Sequence, residues 1–262
     1  MRFSAFAGAF AIVAVLGLVA WAWFRAAAPT PQGSTAPPSH VAFNQLLQKH
    51  VTPQGLVNYK GFEADEQEFN QYLSQLSSHA PAAAWSKNEQ LAYWINAYNA
   101  FTIRLILDHY PVKSIKDIGP AVQIPLVNTP WTEKFFAIGG EKMSLDNIEH
   151  GVLRSKFNDP RIHFALVCAS LSCPRLRNEA YTAALLDRQL DEQGRDFLSN
   201  PGKNQIKQDT ARLSKYFDWY KGDWEESGQS VQSWVNRYSP TKIDASTRIE
   251  YLDYNWSLNE LK

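Results

Sequence analysis

The sequence predicts an α+β fold: a single domain in which a buried central helix and a helical layer pack on a small, mainly antiparallel sheet, after an N-terminal membrane segment. Three observations carry this expectation. Lys87 to His109 places apolar side chains nearly all round a helical repeat, the pattern of a helix enclosed by its own domain. Arg161 to Cys168 (RIHFALVC) is apolar on both faces, as an internal strand would be. Phe3 to Phe24 is a run of 22 residues with Ser4 as its one polar side chain. At about 1.5 Å per residue such a run reaches across a hydrocarbon core of about 30 Å.

Residues 1–25 therefore read as a signal anchor or a signal peptide. Ala20-Trp21-Ala22 fits a cleavage pattern, whereas Trp21 and Trp23 suit a membrane interface and Pro29 is a poor residue to follow a cut, which favours the anchor. Either way the remainder is expected in the periplasm, tethered to the inner membrane or released from it. Residues 26–40, AAAPTPQGSTAPPSH, have the composition of an extended tether. Residues 41–262 contain no second linker and no repeat, and read as one α+β domain.

Within that domain Val41 to His50 and Asp65 to Leu76 have helical spacing, with Phe69, Tyr72, Leu73 and Leu76 on one face of the second. The central helix ends at Tyr110-Pro111. Phe135 to Met143, with Gly139-Gly140 in the middle, reads as a hairpin. Ser144 stands where an N-cap belongs, with Asp146 in the first turn of a helix running to about Phe157. After the strand at 161–168 the pattern predicts a helix from Thr182 to Leu198 and a short hairpin over 205–213. Helices near Ser214 to Tyr220 and Ser230 to Tyr238 follow, and a last strand covers Arg248 to Asp253.

Composition narrows the function classes. Lys and Arg number 26 against 26 Asp and Glu, so there is no general basic field and nucleic acid is not an expected partner. Cys168 and Cys173 are the only cysteines, too few for a disulfide-dense scaffold or a four-cysteine zinc site. HExxH, His-x-His, GxSxG and CxxC are all absent, so the sequence implies no metal, no cofactor, no serine-hydrolase elbow and no dithiol redox motif.

Several residues remain as candidates for chemistry. Asn96 and Asn99 lie at i and i+3 on one face of the apolar central helix, where they either orient a catalytic group or tie the helix to a neighbouring backbone. Cys168 ends the predicted strand and opens into CASLSCP, so Cys168 and Cys173 form a disulfide, or Cys168 is a functional thiol beside the backbone and hydroxyls of Ser170 and Ser172, or both are unreactive thiols. His150 follows Glu149, with Asp146 one turn earlier to orient its ring. His163 precedes Cys168 by five residues, which in a strand spans about 16 Å and reverses the face, so it reads as a satisfied core histidine or a binding residue.

Taken in order, GLVNY at 55–59, LAYWINAYNAFT at 91–102, YPVKSIKDIG at 110–119, SLDNIEHGVLR at 144–154, RIHFALVCASLSCP at 161–174, ARLSKYFDWYKGDW at 211–224 and YLDYNWSLN at 251–259 resemble the uncharacterised family called domain of unknown function five-four-seven. The resemblance implies one α+β domain, often exported in bacteria and joined to other regions in plants, and it brings no established reaction. Asn58 stands where the family pattern has Asp, which removes one carboxylate from any mechanism that needs it.

Two functions follow from these residues. The favoured one is a non-catalytic binding or scaffolding domain of the cell envelope, stapled by Cys168 and Cys173, whose polar helix face at Asn96 and Asn99 binds a peptide, a glycan or an envelope protein. The alternative is a thiol-dependent hydrolase or acyl transferase with Cys168 as nucleophile, His150 as base and Asn96 or Asn99 as the orienting group. Both place the pocket where the central helix meets the end of the Cys168 segment.

Overall fold

Three short helices lead into a long one. The computed structural model describes residues 36–124 and 127–262. The apolar run at 3–24 and most of the tether lie outside them, and no helix among the described residues is long and apolar enough to cross a membrane. Helices α1 (Val41–His50), α2 (Tyr59–Ala64) and α3 (Glu66–Ser78) bury Phe43, Phe62, Phe69 and Tyr72. Asn58 caps α2, its side chain accepting from Gly61 N at 3.0 Å. Aspartate and asparagine serve equally well in that role, so the departure from the family pattern keeps the cap.

Helix α4 (Lys87–His109) is the axis of the domain. Ser86 and Glu89 form a reciprocal capping box, Ser86 Oγ accepting from Glu89 N and Glu89 Oε2 from Ser86 N. Between Leu91 and Leu107 only Trp94 and Arg104 are not buried. Each of α4's two asparagines makes a two-point bond to another segment's backbone. Asn96 donates to Tyr181 O at 2.8 Å and accepts from Tyr181 N at 2.9 Å, while Asn99 donates to Ala165 O and accepts from Val167 N, both at 3.0 Å.

After α4 come β1 (Phe136–Ile138) and β2 (Glu141–Met143), an antiparallel hairpin turning at Gly139-Gly140 as expected, both with positive φ. Phe136 stacks on Phe101 of α4, ring centroids 3.8 Å apart. Ser144 caps α5 (Leu145–Ile148), and the helix continues through a π-turn at Glu149–Arg154 into α6 (Ser155–Phe157), so its predicted end is met.

The strand expected at 161–168 does not form. Pro160–Phe164 is a 3-10 helix, begun by Asp159, whose carboxylate accepts from Arg161 N, and by Pro160 at its first position. Residues 165–167 then run beside α4 with their backbone groups on Asn99. An apolar run with no clear period fits any buried segment, and here side-chain amides take the place of a neighbouring strand. Helix α7 (Leu186–Ser199) starts four residues later than expected, because Thr182 N donates to Gln189 Oε1 within a preceding turn.

The remaining elements are β3 (Gln205–Ile206), β4 (Thr210–Leu213), α8 (Tyr216–Trp219), α9 (Lys221–Trp224), α10 (Val231–Tyr238) and β5 (Arg248–Tyr251). β3 pairs antiparallel with β4, but β5 joins β4 in parallel. The single, mainly antiparallel sheet is thus corrected to two small ones, a hairpin and a mixed three-stranded sheet. Helices dominate because α4, rather than a sheet, is the surface on which the other segments are hydrogen-bonded.

Replacing Asn96 or Asn99 by leucine leaves a buried backbone N–H and C=O without partners, a loss of about 1–3 kcal/mol for each variant. Thermal denaturation should show a clear fall in melting temperature for both, and an unchanged value would remove the clamps from their structural role.

Candidate functional site

The Asn99 clamp sets the site, because the segment it holds carries His163, Leu166 and Cys168 to one side of α4. There Tyr98 of α4 faces Asp146, Glu149 and His150 from the helix after the hairpin, around a cavity of about 440 Å³. Its walls are Trp131, Tyr216, Trp219, Tyr220 and Trp256. Asp146, Glu149 and His150 share a face because helical residues three and four apart do. The π-turn begins at Glu149, a feature frequent at functional sites.

The rings stand at several inclinations. Trp131 meets Trp256 at 64° with centroids 5.7 Å apart, Trp219 lies at 24° to Trp256, and Tyr216 meets Tyr220 at 81°. Tyr220 in turn stacks on His163 at 3.7 Å.

Beneath the walls runs a polar network. Arg154 forks onto Asp223 with Nε and Nη2, both at 2.6 Å, and its Nη1 reaches His150 Nδ1 at 2.8 Å. Arginine only donates, so His150 Nδ1 is the acceptor and the ring proton sits on Nε2, 3.7 Å from Asp146 Oδ1. His163 Nε2 contacts Asp223 Oδ2 at 2.8 Å. Burial would raise the Asp223 carboxyl, but hydrogen bonds from Arg154 and His163 outweigh it and hold the group well below the usual carboxylate range. Burial pushes the His163 imidazole down, against the pull of Asp223. It raises Asp146, with the neighbouring Glu149 charge adding to it and His150 opposing.

Glu149 is 5% exposed, and its Oε1 has no hydrogen-bond partner among the described residues. Burial, reinforced by the charge of Glu149 and by their hydrogen bonds to it, pushes the Tyr98 and Tyr220 phenols well above their ordinary value. Both therefore remain protonated at neutral pH.

Cys168 and Cys173 are joined in a disulfide, ringed by the hydroxyls of Tyr216, Tyr254 and Ser170. A bonded sulfur carries no thiolate, so Cys168 reaches the cavity as part of a staple. Closing so short a ring contributes about 2 kcal/mol through the unfolded chain.

The comparisons with known proteins bear on the central half of this site. Residues 82–198 match the family described as protein of unknown function, DUF547. No curated protein and no solved structure matches the chain significantly. The DUF547 stretch carries Tyr98, Trp131, Asp146, Glu149, His150, His163 and Cys168, and so the cavity's floor. Tyr216, Trp219, Tyr220 and Trp256 lie beyond it and complete the walls.

Of the residues singled out from sequence, Glu149, His150, His163 and Cys168 converge on the cavity. Asn96 and Asn99 do not line it, being spent on backbone. Ser170 is buried against the sulfurs and Ser172 Oγ accepts from Asn255 N, so both brace the loop. The estimate of His163 as 16 Å from Cys168 presumed a strand; in a 3-10 helix and turn the two line one cavity. Sequence reasoning missed Asp223, Arg154 and the aromatic wall. The FDWYKGDW run at 217–224 held the one available signal, four aromatic rings with two aspartates.

His163 fits the folded state as a neutral ring, so its contribution is complete above the ordinary imidazole value and lost as pH falls below it. Asp223 is held below its ordinary value, so its contribution is present above that value and lost as pH falls further. Melting temperature should therefore drop between pH 7 and 5 and again below about pH 4. His163→Asn should flatten the first drop, leaving a remainder from His40, which burial lowers to about 4. Identical slopes in the two proteins would clear His163 of that role.

Proposed function

We propose that the domain is a non-catalytic binding domain of the cell envelope that takes a small organic ligand in the aromatic-walled cavity. The supporting observation is the cavity itself. A recess of about 440 Å³ walled by five aromatic rings, with a few polar groups converging at its floor, has the size and lining of a small-molecule site. Binding through the Asn96 and Asn99 face is replaced by binding beside it, since those amides are committed to backbone. Binding is favoured over thiol chemistry because the sulfurs are bonded to each other and the Nδ1 lone pair of His150 is taken by Arg154.

The indole N–H resonances of Trp131, Trp219 and Trp256, assigned with Trp→Phe variants, report on the cavity directly. Titration with a panel of neutral, anionic and cationic metabolites should shift them together for at least one compound. A panel that moves none of them would remove the binding reading.

The envelope location rests on the apolar run at 3–24. The Cys168–Cys173 disulfide supports it, because such bonds persist in oxidising compartments. Alkaline phosphatase fused after Lys262 should be active in intact bacteria, and an inactive fusion made in full amount would place the domain on the cytoplasmic side.

A further inference from the structure

The charges around the cavity do not balance. Asp146, Glu149 and Asp223 supply three carboxylates, against the Arg154 guanidinium among them and the exposed Lys116 ammonium over Trp256. His150 accepts from Arg154 and so is neutral in this arrangement, and His163 is buried beside Asp223. Arg154 has both fork nitrogens on Asp223, which leaves Glu149 and Asp146 without a cation of their own. Glu149 is 5% exposed; the Tyr98 and Tyr220 hydroxyls hydrogen-bond to its carboxylate, and Oε1 still lacks a partner. Buried charge is retained only where something compensates it, and a buried acceptor needs a donor.

The walls supply the complementary part. Aromatic faces attract cations, and rings set at 24° to 81° to one another form a box rather than the flat platform on which a sugar stacks. Trp256 already has the exposed Lys116 ammonium 5.1 Å from its ring centroid, so it accepts a cation where it stands. An anionic ligand would meet Glu149 and Asp146 with no free guanidinium to hold it, and a neutral one would leave the excess charge in place.

Resting on the binding reading above, we infer that the ligand is an organic cation carrying an N–H, a protonated amine whose ammonium sits among Trp219, Trp256 and Tyr220 and donates to the Glu149 carboxylate. Amines with bulky hydrocarbon substituents on nitrogen fit this cavity best, since the rings contact the substituents while the one proton meets the carboxylate. A quaternary ammonium satisfies the rings and the charge but offers the Glu149 carboxylate no donor.

Three ligands of one shape separate these contributions in calorimetric titration of the oxidised protein at pH 7. Dimethylaminoethanol is protonated and carries the N–H, choline has the charge without it, and 3,3-dimethylbutan-1-ol has neither. Affinity should fall in that order, with the neutral alcohol about tenfold or more below the amine. Glu149→Gln should bring the amine down to the level of choline or below it, and Trp219→Ala, at a position 45% exposed, should weaken the amine and choline alike. An N-acetylated, amidated lysine that binds more tightly than the free amines would support the cation site but overturn the preference for bulky substituents on nitrogen. Equal affinity for amine and alcohol would overturn the cation while the cavity remains a binding site. So would failure of all three ligands when another compound moves the tryptophan resonances. If no compound of any charge moves those resonances, the binding reading itself falls.

Discussion

Two buried asparagine side chains do the work that a sheet does in most domains of mixed structure. A primary amide holds N–H donors and a carbonyl acceptor in one plane, as a peptide group holds its N–H and C=O, so Asn96 and Asn99 present α4 to the chain as though it were the edge of a strand. Segments that dock there satisfy their backbone without pairing to each other. Gln189 and Gln193 repeat the device from α7, donating to the carbonyls of Ala180, Phe164 and Arg175. The same low-dielectric interior that strengthens these bonds makes their loss expensive, so the amides also dictate which segment lies where.

The cavity depends on that placement. Asn99 holds residues 165–167, and the chain on either side delivers His163 and Cys168 to the space beside Tyr98. From the other direction the reciprocal cap of Ser144 and Asn147 starts the helix that turns Asp146, Glu149 and His150 inward. Asp223 then ties the two halves together, through Arg154 on one and His163 on the other. An ion pair so shared is costly to break at either end, since the surviving charge is left without a partner. The disulfide closes the last side by fixing the loop on which Tyr216 and Tyr254 rest.

Much of this was legible in the residues themselves. The all-round apolar pattern of 87–109 identified α4 to the residue at both ends, with Tyr110-Pro111 as its stop signal. The same holds for the hairpin at 136–143 and for the shared face of Asp146, Glu149 and His150, which follow from local geometry. The clamping role of Asn96 and Asn99 was one of two readings that burial allowed, and the bonds to Tyr181, Ala165 and Val167 select it.

Local chemistry by itself determined the helices, their caps and the cluster of acidic and histidine side chains, because these depend on neighbours within a turn or two. Tertiary structure alone decided that 161–168 is no strand, that β5 joins β4 in parallel, and that Trp219, Tyr220 and Trp256 face a carboxylate far before them in the chain. Each of those outcomes turns on which distant backbone or side chain completes a buried hydrogen bond or charge pair. Such partners leave no periodic trace in sequence, since a single asparagine or aspartate at the right place is enough to choose them.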